Sequence, residues 1–337
     1  MHNEYRNHRS GRLGLILIVI VSMLVMPLAA SAQSAASEPR PTEFAVNGGM
    51  YSNPSGEPVP YLNEDGRTMV PISFFATALG VPASGIKWDN GSKTATITHE
   101  GRELQLTQGQ SYLLVNGERR SIDTTIAIRD GRVFIPARFI AEGLGVTVSW
   151  DEWSRIVHLS TDDPSPSPGE AQAIIAERAE EVLQLIAEQD LDGLAEHVHP
   201  DRGLRFSPYS YVDVRDEVVL EAFELASNLN NPELREWGFY DGSGETILLD
   251  FKDYWDRFVF AHDFREAPEV SYNEQLFSGN MINNAPTVYH GSIIVEYHFD
   301  GIEEQYAGID WRSLRLVFQP YAGDWRLTAI INDEWTT

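Results

Sequence analysis

The chain has 337 residues, 42% hydrophobic and 22% charged, enough to bury two or three cores and too apolar for global disorder. Its formal net charge of −25 argues against nucleic acid and anionic lipid as partners, because both would be repelled. It contains no Cys, which excludes a disulfide framework, a thiolate metal site and lipid attachment at cysteine.

The chain opens on "MHNEYRNHRSGR", with Arg6, Arg9 and Arg12, followed by the apolar run "LGLILIVIVSMLVMPLAA" and the small-residue stretch "SAQSAAS". A basic segment, an apolar run and an A-x-A site, here Ala30-Ser31-Ala32, form the pattern of a secretory leader. Residues 1–32 are therefore expected to be cleaved, leaving a secreted chain, extracellular or associated with the cell wall. An uncleaved N-terminal membrane anchor is the alternative, since the run is near bilayer-spanning length; Pro27 and the Ala/Ser cluster favour cleavage. Residues 33–43 read as a disordered segment. No second long apolar run follows, so the mature form is not expected to be membrane-embedded.

A duplication comes next. "GRTMVPISFFATALGV" from Gly66 recurs as "GRVFIPARFIAEGLGV" from Gly131, and Trp88-Asp89 recurs as Trp150-Asp151. Upstream, "VNG" at Val46 recurs at Val115. In each copy a proline (Pro71, Pro136) suits the first turn of a helix. Ile72, Phe75, Ala76 and Leu79, and then Ala137, Ile140, Ala141 and Leu144, repeat at helical spacing. Gly80 and Gly145 fall where a left-handed C-cap would end those helices. The following segments read as hairpins, the first turning at Asp89-Asn90-Gly91. A unit this small cannot cover both faces of its sheet, so the two copies are expected to share a core.

These residues, VNG followed by D-G-R-x-(F/M)-(I/V)-P-x-x-F-x-A-x-x-L-G-V and W-D, resemble the N-terminal domain of copper amine oxidases over about residues 44–160. The resemblance implies a peripheral stalk, remote from copper and quinone. Oxidase chemistry would need a tyrosine in an Asn-Tyr-Asp/Glu context, and the chain has no Asn-Tyr pair. Amine oxidase activity is therefore not expected, and the chain as a whole reads as more in keeping with a binding protein than an enzyme.

"TDDPSPSPGE" supplies a Pro/Ser linker at 161–169, expected to hold an extended polyproline form between two units. Residues 170–337 carry 11 basic and 33 acidic side chains. They begin with a helical stripe (Ile175, Ala179, Val182, Ile186) and a second short helix (Leu191, Leu194, Ala195, Val198). Strands follow, ending in a hairpin in which Trp325, Leu327, Ala329 and Ile331 are expected to share a face. The fold class is thus α+β: duplicated strand-rich units with one short helix each, then helices over a curved antiparallel sheet. The second part is similar to the nuclear transport factor two-like cone. Its phrases "HPDRGLRFSPYSYV" and "IINDEWT" resemble a family of domains in secreted proteins and lipoproteins of Gram-positive bacteria, which brings no activity with it.

The C-terminal part holds the candidate chemistry. Arg205, Tyr209, Tyr211, Trp237 and Tyr240 cluster around two loops, and His298, Asp310 and Arg312 add titratable groups. Together these eight are the candidate ligand pocket, with ring packing and structural pairing as the competing readings. His298 with Asp310 is the conceivable acid–base pair. His197-x-His199 with Asp201 has a metal-like spacing, but alternate helical residues point about 200° apart, so helix-end capping is the better reading. No nucleophile elbow, phosphate loop or metalloprotease motif occurs, and no catalytic residue, metal or cofactor is assigned. The expected activity is non-catalytic binding at or near the cell envelope, to an envelope component or another protein. The alternative is a small-ligand-binding or enzymatic cone domain.

Overall fold

The computed structural model describes residues 43–52, 56, 58–276 and 279–336. The expected leader at 1–32, and all but the last residue of the 33–43 segment, lie outside the described residues.

In each repeat a strand ending on proline turns directly into a short helix. Strand Thr68–Pro71 leads into helix Ile72–Ala78, and strand Arg132–Pro136 into helix Ala137–Leu144. The prolines sit one step earlier than the first helical turn. They are extended N-cap residues with φ −60° and −73°, positions their locked rings also suit. Gly80 (φ +76°) and Gly145 (φ +85°) take the left-handed conformation that stops each helix. Hairpins follow, Ile86–Asp89 with Thr94–His99 and Thr147–Asp151 with Ile156–Ser160. Strands Thr68–Pro71 and Arg132–Pro136 pair antiparallel, and one buried cluster draws Phe75 and Leu79 from the first copy and Ile140 and Leu144 from the second.

Both VNG motifs are hairpin tips. Asn47-Gly48 joins strands Glu43–Val46 and Gly49–Tyr51; Asn116-Gly117 joins Tyr112–Val115 and Glu118–Ser121. All four turn residues have positive φ, the mirror-image turn that Asn-Gly favours.

The C-terminal part begins with helix Pro168–Glu188, started by a capping box between Ser167 and Glu170. Helix Leu191–His197 follows, its N-terminus capped by Asp190 accepting from the Gly193 N–H at 3.0 Å. The main sheet has six strands, in the order Val219–Leu220, Leu204–Ser207, Asp324–Glu334, Arg312–Tyr321, Ile293–Phe299, Glu269–Tyr272, and it curls into a half-barrel. Helix residues such as Ile175, Val182 and Ile186 pack with Leu314, Leu316, Phe318 and Ile330 on its inner face.

The last hairpin departs from simple alternation. Phe318 pairs with Leu327 but Val317 pairs with Ala329, leaving Thr328 as an extra residue. This bulge puts Leu327 with the inner core and turns Ala329 and Ile331 to the outer face. There they join Ala45 and Ile156 of the repeat region, so the sheet is buried on both sides. Residues Pro41–Thr337 form one compact unit. The Pro/Ser stretch is tied down where it starts: Asp162 makes a bidentate pair with Arg202 at 3.0 and 3.2 Å. Among the described residues no helix is long and apolar enough to cross a membrane.

Candidate functional site

Strand Leu204–Ser207 sets the geometry. Leu204 and Phe206 enter the inner core, so alternation sends Arg205 and Ser207 to the outer face, beside Ala329 and Ile331. Directly over that face stands the Asn47-Gly48 tip. The Arg205 guanidinium donates to the Gly48 carbonyl at 3.0 Å, and Tyr289 packs so closely that a Cβ on Gly48 would lie 2.9 Å from its ring. Asn47 is held in turn by Thr161, whose N–H donates to its side chain at 3.0 Å.

Between tip and sheet lies a cleft of about 690 Å³, within the range of small-molecule sites. Arg205, Glu217, Tyr289, His199 and Gln319 line it, and each is at least nine-tenths buried. The Glu217 carboxyl accepts the Ser207 hydroxyl at 2.7 Å and lies 4.0 Å from Arg205. Burial pushes its pKa up to about 8, against the opposing pull of Arg205. His199 accepts the Asp201 N–H on Nδ1 at 3.2 Å, which places the proton of the neutral ring on Nε2. Burial also lowers its pKa, which favours the neutral ring. Nε2 meets no acceptor in hydrogen-bonding geometry, although the Pro320 carbonyl is near enough to favour its proton. The Gln319 Oε1 and the Tyr289 hydroxyl are likewise unmatched, with Arg205 beside the latter.

The eight sequence-derived pocket residues do not converge. Arg205 lines the cleft just described. Tyr209, Tyr211 and Tyr240 line a second one, of about 460 Å³, which shares Glu217 with the first. Trp237 is in the core, stacked on Tyr254 with ring centroids 3.9 Å apart and its Nε1–H donating to the Leu249 carbonyl at 2.9 Å. His298, Asp310 and Arg312 line neither cleft. His298 bonds Ser313 at 2.8 Å and Asp300 at 3.0 Å; Asp310 accepts the Glu303 N–H at 2.7 Å; Arg312 pairs with Glu334. His197 faces Glu181 at 3.8 Å while His199 packs edge-on to Tyr321. Among the described residues no group of three or more His, Asp or Glu side chains is placed to hold a metal ion.

Sequence reasoning missed Glu217, Gln319 and Gly48. The first two carry no spacing signal, and Gly48 was visible only as part of the repeated VNG motif.

The architecture is that of a strand-rich duplicated region joined to helices over a curled sheet. Residues 46–159 match the family model of the copper amine oxidase N-terminal domain, and over that third of the chain the protein is similar to it. No curated protein and no solved structure matches the chain.

Proposed function

We propose that the chain is an exported, non-catalytic binding protein acting at or near the cell envelope, and that it binds a small ligand in the cleft between the Asn47-Gly48 tip and the curled sheet. On this reading residues 44–160 form the stalk-like domain, 161–169 the connector and 170–337 an acidic domain similar to the nuclear transport factor two-like cone. The observation that carries the proposal is the cleft itself, where polar groups of His199, Tyr289 and Gln319 are buried without aligned protein partners. Such groups are costly unless something supplies their hydrogen bonds. The domain that residues 46–159 resemble is non-catalytic in itself, which agrees.

Native mass spectrometry of the full chain, incubated with an ultrafiltered digest of purified cell envelopes, tests this. Val219 lines the cleft and is 39% exposed, so Val219→Trp narrows it without entering the core. The expected result is an adduct on the parent chain that the variant loses. An adduct indifferent to the substitution, or none, would remove the cleft from consideration.

A further inference from the structure

The groups facing the cleft also define what they would hold. Three arginines line it, in a chain of net charge −25. Arg202 is neutralised by Asp162 and Arg215 by Glu43. Arg205 differs: its guanidinium donates to main-chain carbonyls, Gly48 at 3.0 Å and Asp213 at 3.5 Å, and lies beside the Tyr289 hydroxyl. Glu217, its nearest carboxyl, stands 4.0 Å off and is engaged by Ser207. Among the described residues no carboxylate is hydrogen-bonded to Arg205, so its charge is incompletely offset where it faces the cavity, which the Asp201 carboxyl also lines. The neighbouring Tyr289 O–H adds a donor to it, and the His199 Nε2–H, which has the Pro320 carbonyl nearby, a second. Gln319 Oε1 adds one acceptor, its amide Nε2 being directed to Asp162 at 3.5 Å.

Resting on the reading that this cleft is a binding site, we infer that its ligand is a small organic monocarboxylate that also carries a hydroxyl or amide. The carboxylate faces Arg205, with Tyr289 and His199 as further donors, and the hydroxyl or amide proton goes to Gln319. A planar guanidinium matches a carboxylate in geometry. One incompletely offset guanidinium, in a cleft that the Asp201 carboxyl also lines, suits a monoanion rather than a phosphate dianion.

Lactate, lactamide and glucose serve as probes in two-dimensional amide NMR of the full chain. Lactate should shift the amides of Gly48, Gly49 and Arg205 saturably, and lactamide and glucose should not. Tyr289→Phe keeps the ring that packs on Gly48 and removes only the hydroxyl, so it should weaken lactate about fivefold. Arg205→Lys should weaken it by about tenfold or more. Equal shifts from lactamide or glucose would overturn the monocarboxylate while leaving the cleft as a binding site. If no probe moves a cleft amide, both the ligand class and the site fall. Lactate shifts unchanged in Tyr289→Phe and Arg205→Lys would also overturn the assignment.

Discussion

Val70 lies directly opposite Ile135 in the antiparallel ladder that joins the two repeats. The copies are offset by 65 positions through this stretch, so Val70 faces its own counterpart and its neighbours on either side exchange theirs. Met69 faces Pro136 and Pro71 faces Phe134, as a local two-fold axis through the central pair requires. The duplication therefore closes on itself: each copy supplies the strand the other needs, and both side chains at the axis are fully buried.

Ile135→Ala should cost about 2–5 kcal/mol through lost burial and the cavity left behind. Val70→Ala should cost less, having one carbon fewer to lose. Because the two touch across one axis, the double variant should depart from additivity by about 0.5 kcal/mol or more. Urea unfolding of the four chains measures this; strict additivity would mean that the pair does not act as a unit.

A second relationship shows the duplicated motif diverging. The Asp of each Trp-Asp pair organises its hairpin turn. Asp89 accepts the Gly91 N–H and the Ser92 hydroxyl, both at 2.8 Å, and is exposed. Asp151 accepts the Trp153 N–H at 2.9 Å with one oxygen. Its other oxygen receives the Tyr211 hydroxyl at 3.0 Å and the Asn284 amide at 3.1 Å. Asp151→Asn should thus cost about 1–3 kcal/mol by unmatching a buried donor, and Asp89→Asn about 0.5 kcal/mol or less. Chemical denaturation compares them, and equal losses would contradict the difference in burial.

Much of the fold was legible because local rules and burial agreed there. The helical stripe Ala137, Ile140, Ala141, Leu144 is buried throughout, and the VNG and Gly80/Gly145 positions take the backbone their residues favour. The final hairpin was misread because alternation assumes an unbroken ladder, and the bulge at Thr328 reverses it. The eight pocket residues were grouped by residue type, which carries no information on facing. Tyr209 and Arg205 are four apart in sequence yet line different clefts. The cleft was illegible for a related reason: Gly48 and Arg205, which meet across it, are 157 positions apart in the sequence.

Two buried groups give stability opposite pH slopes. The Glu217 pKa is raised from 4.5 to about 8, so the folded state holds a proton the unfolded chain has lost. Its contribution is complete below pH 4.5 and drains away as pH rises to about 8. His158, buried between the fields of Asp151 and Arg215, is lowered from 6.5 to about 4. Its contribution is present above pH 6.5 and is lost as pH falls towards 4. The slopes oppose between pH 4.5 and 6.5, leaving Glu217 to dominate from 6.5 to 8. Glu217→Gln should therefore raise stability at pH 8 by at least ~1 kcal/mol, about 2–4 °C in Tm, and flatten that limb. Thermal unfolding at pH 5, 6.5 and 8 reads both, and a variant less stable than the parent at pH 8 would contradict the shift.

The outer face of the curled sheet also carries a buried charge cluster. Arg315, 1% exposed, donates to Glu296 at 2.9 Å, Asp333 at 2.8 Å and the Ser210 hydroxyl at 2.9 Å. The far oxygen of Glu296 accepts the Leu276 N–H at 3.1 Å. Burial raises the Asp333 pKa against the pull of Arg315, so the arginine is what keeps two buried carboxyls tolerable. A one-residue slip of strand Arg312–Tyr321 would carry Arg315 into the apolar inner core, which ties the cluster to register. Arg315→Met should cost about 3–5 kcal/mol, because the carboxylates lose their cation while remaining buried. Adding Glu296→Gln and Asp333→Asn should recover most of that loss by removing the charges left behind. If urea unfolding puts Arg315→Met within about 1 kcal/mol of the parent, the cluster contributes little. If the triple variant is no better than the single, the cost came from packing around the lost guanidinium, and electrostatics was not its source.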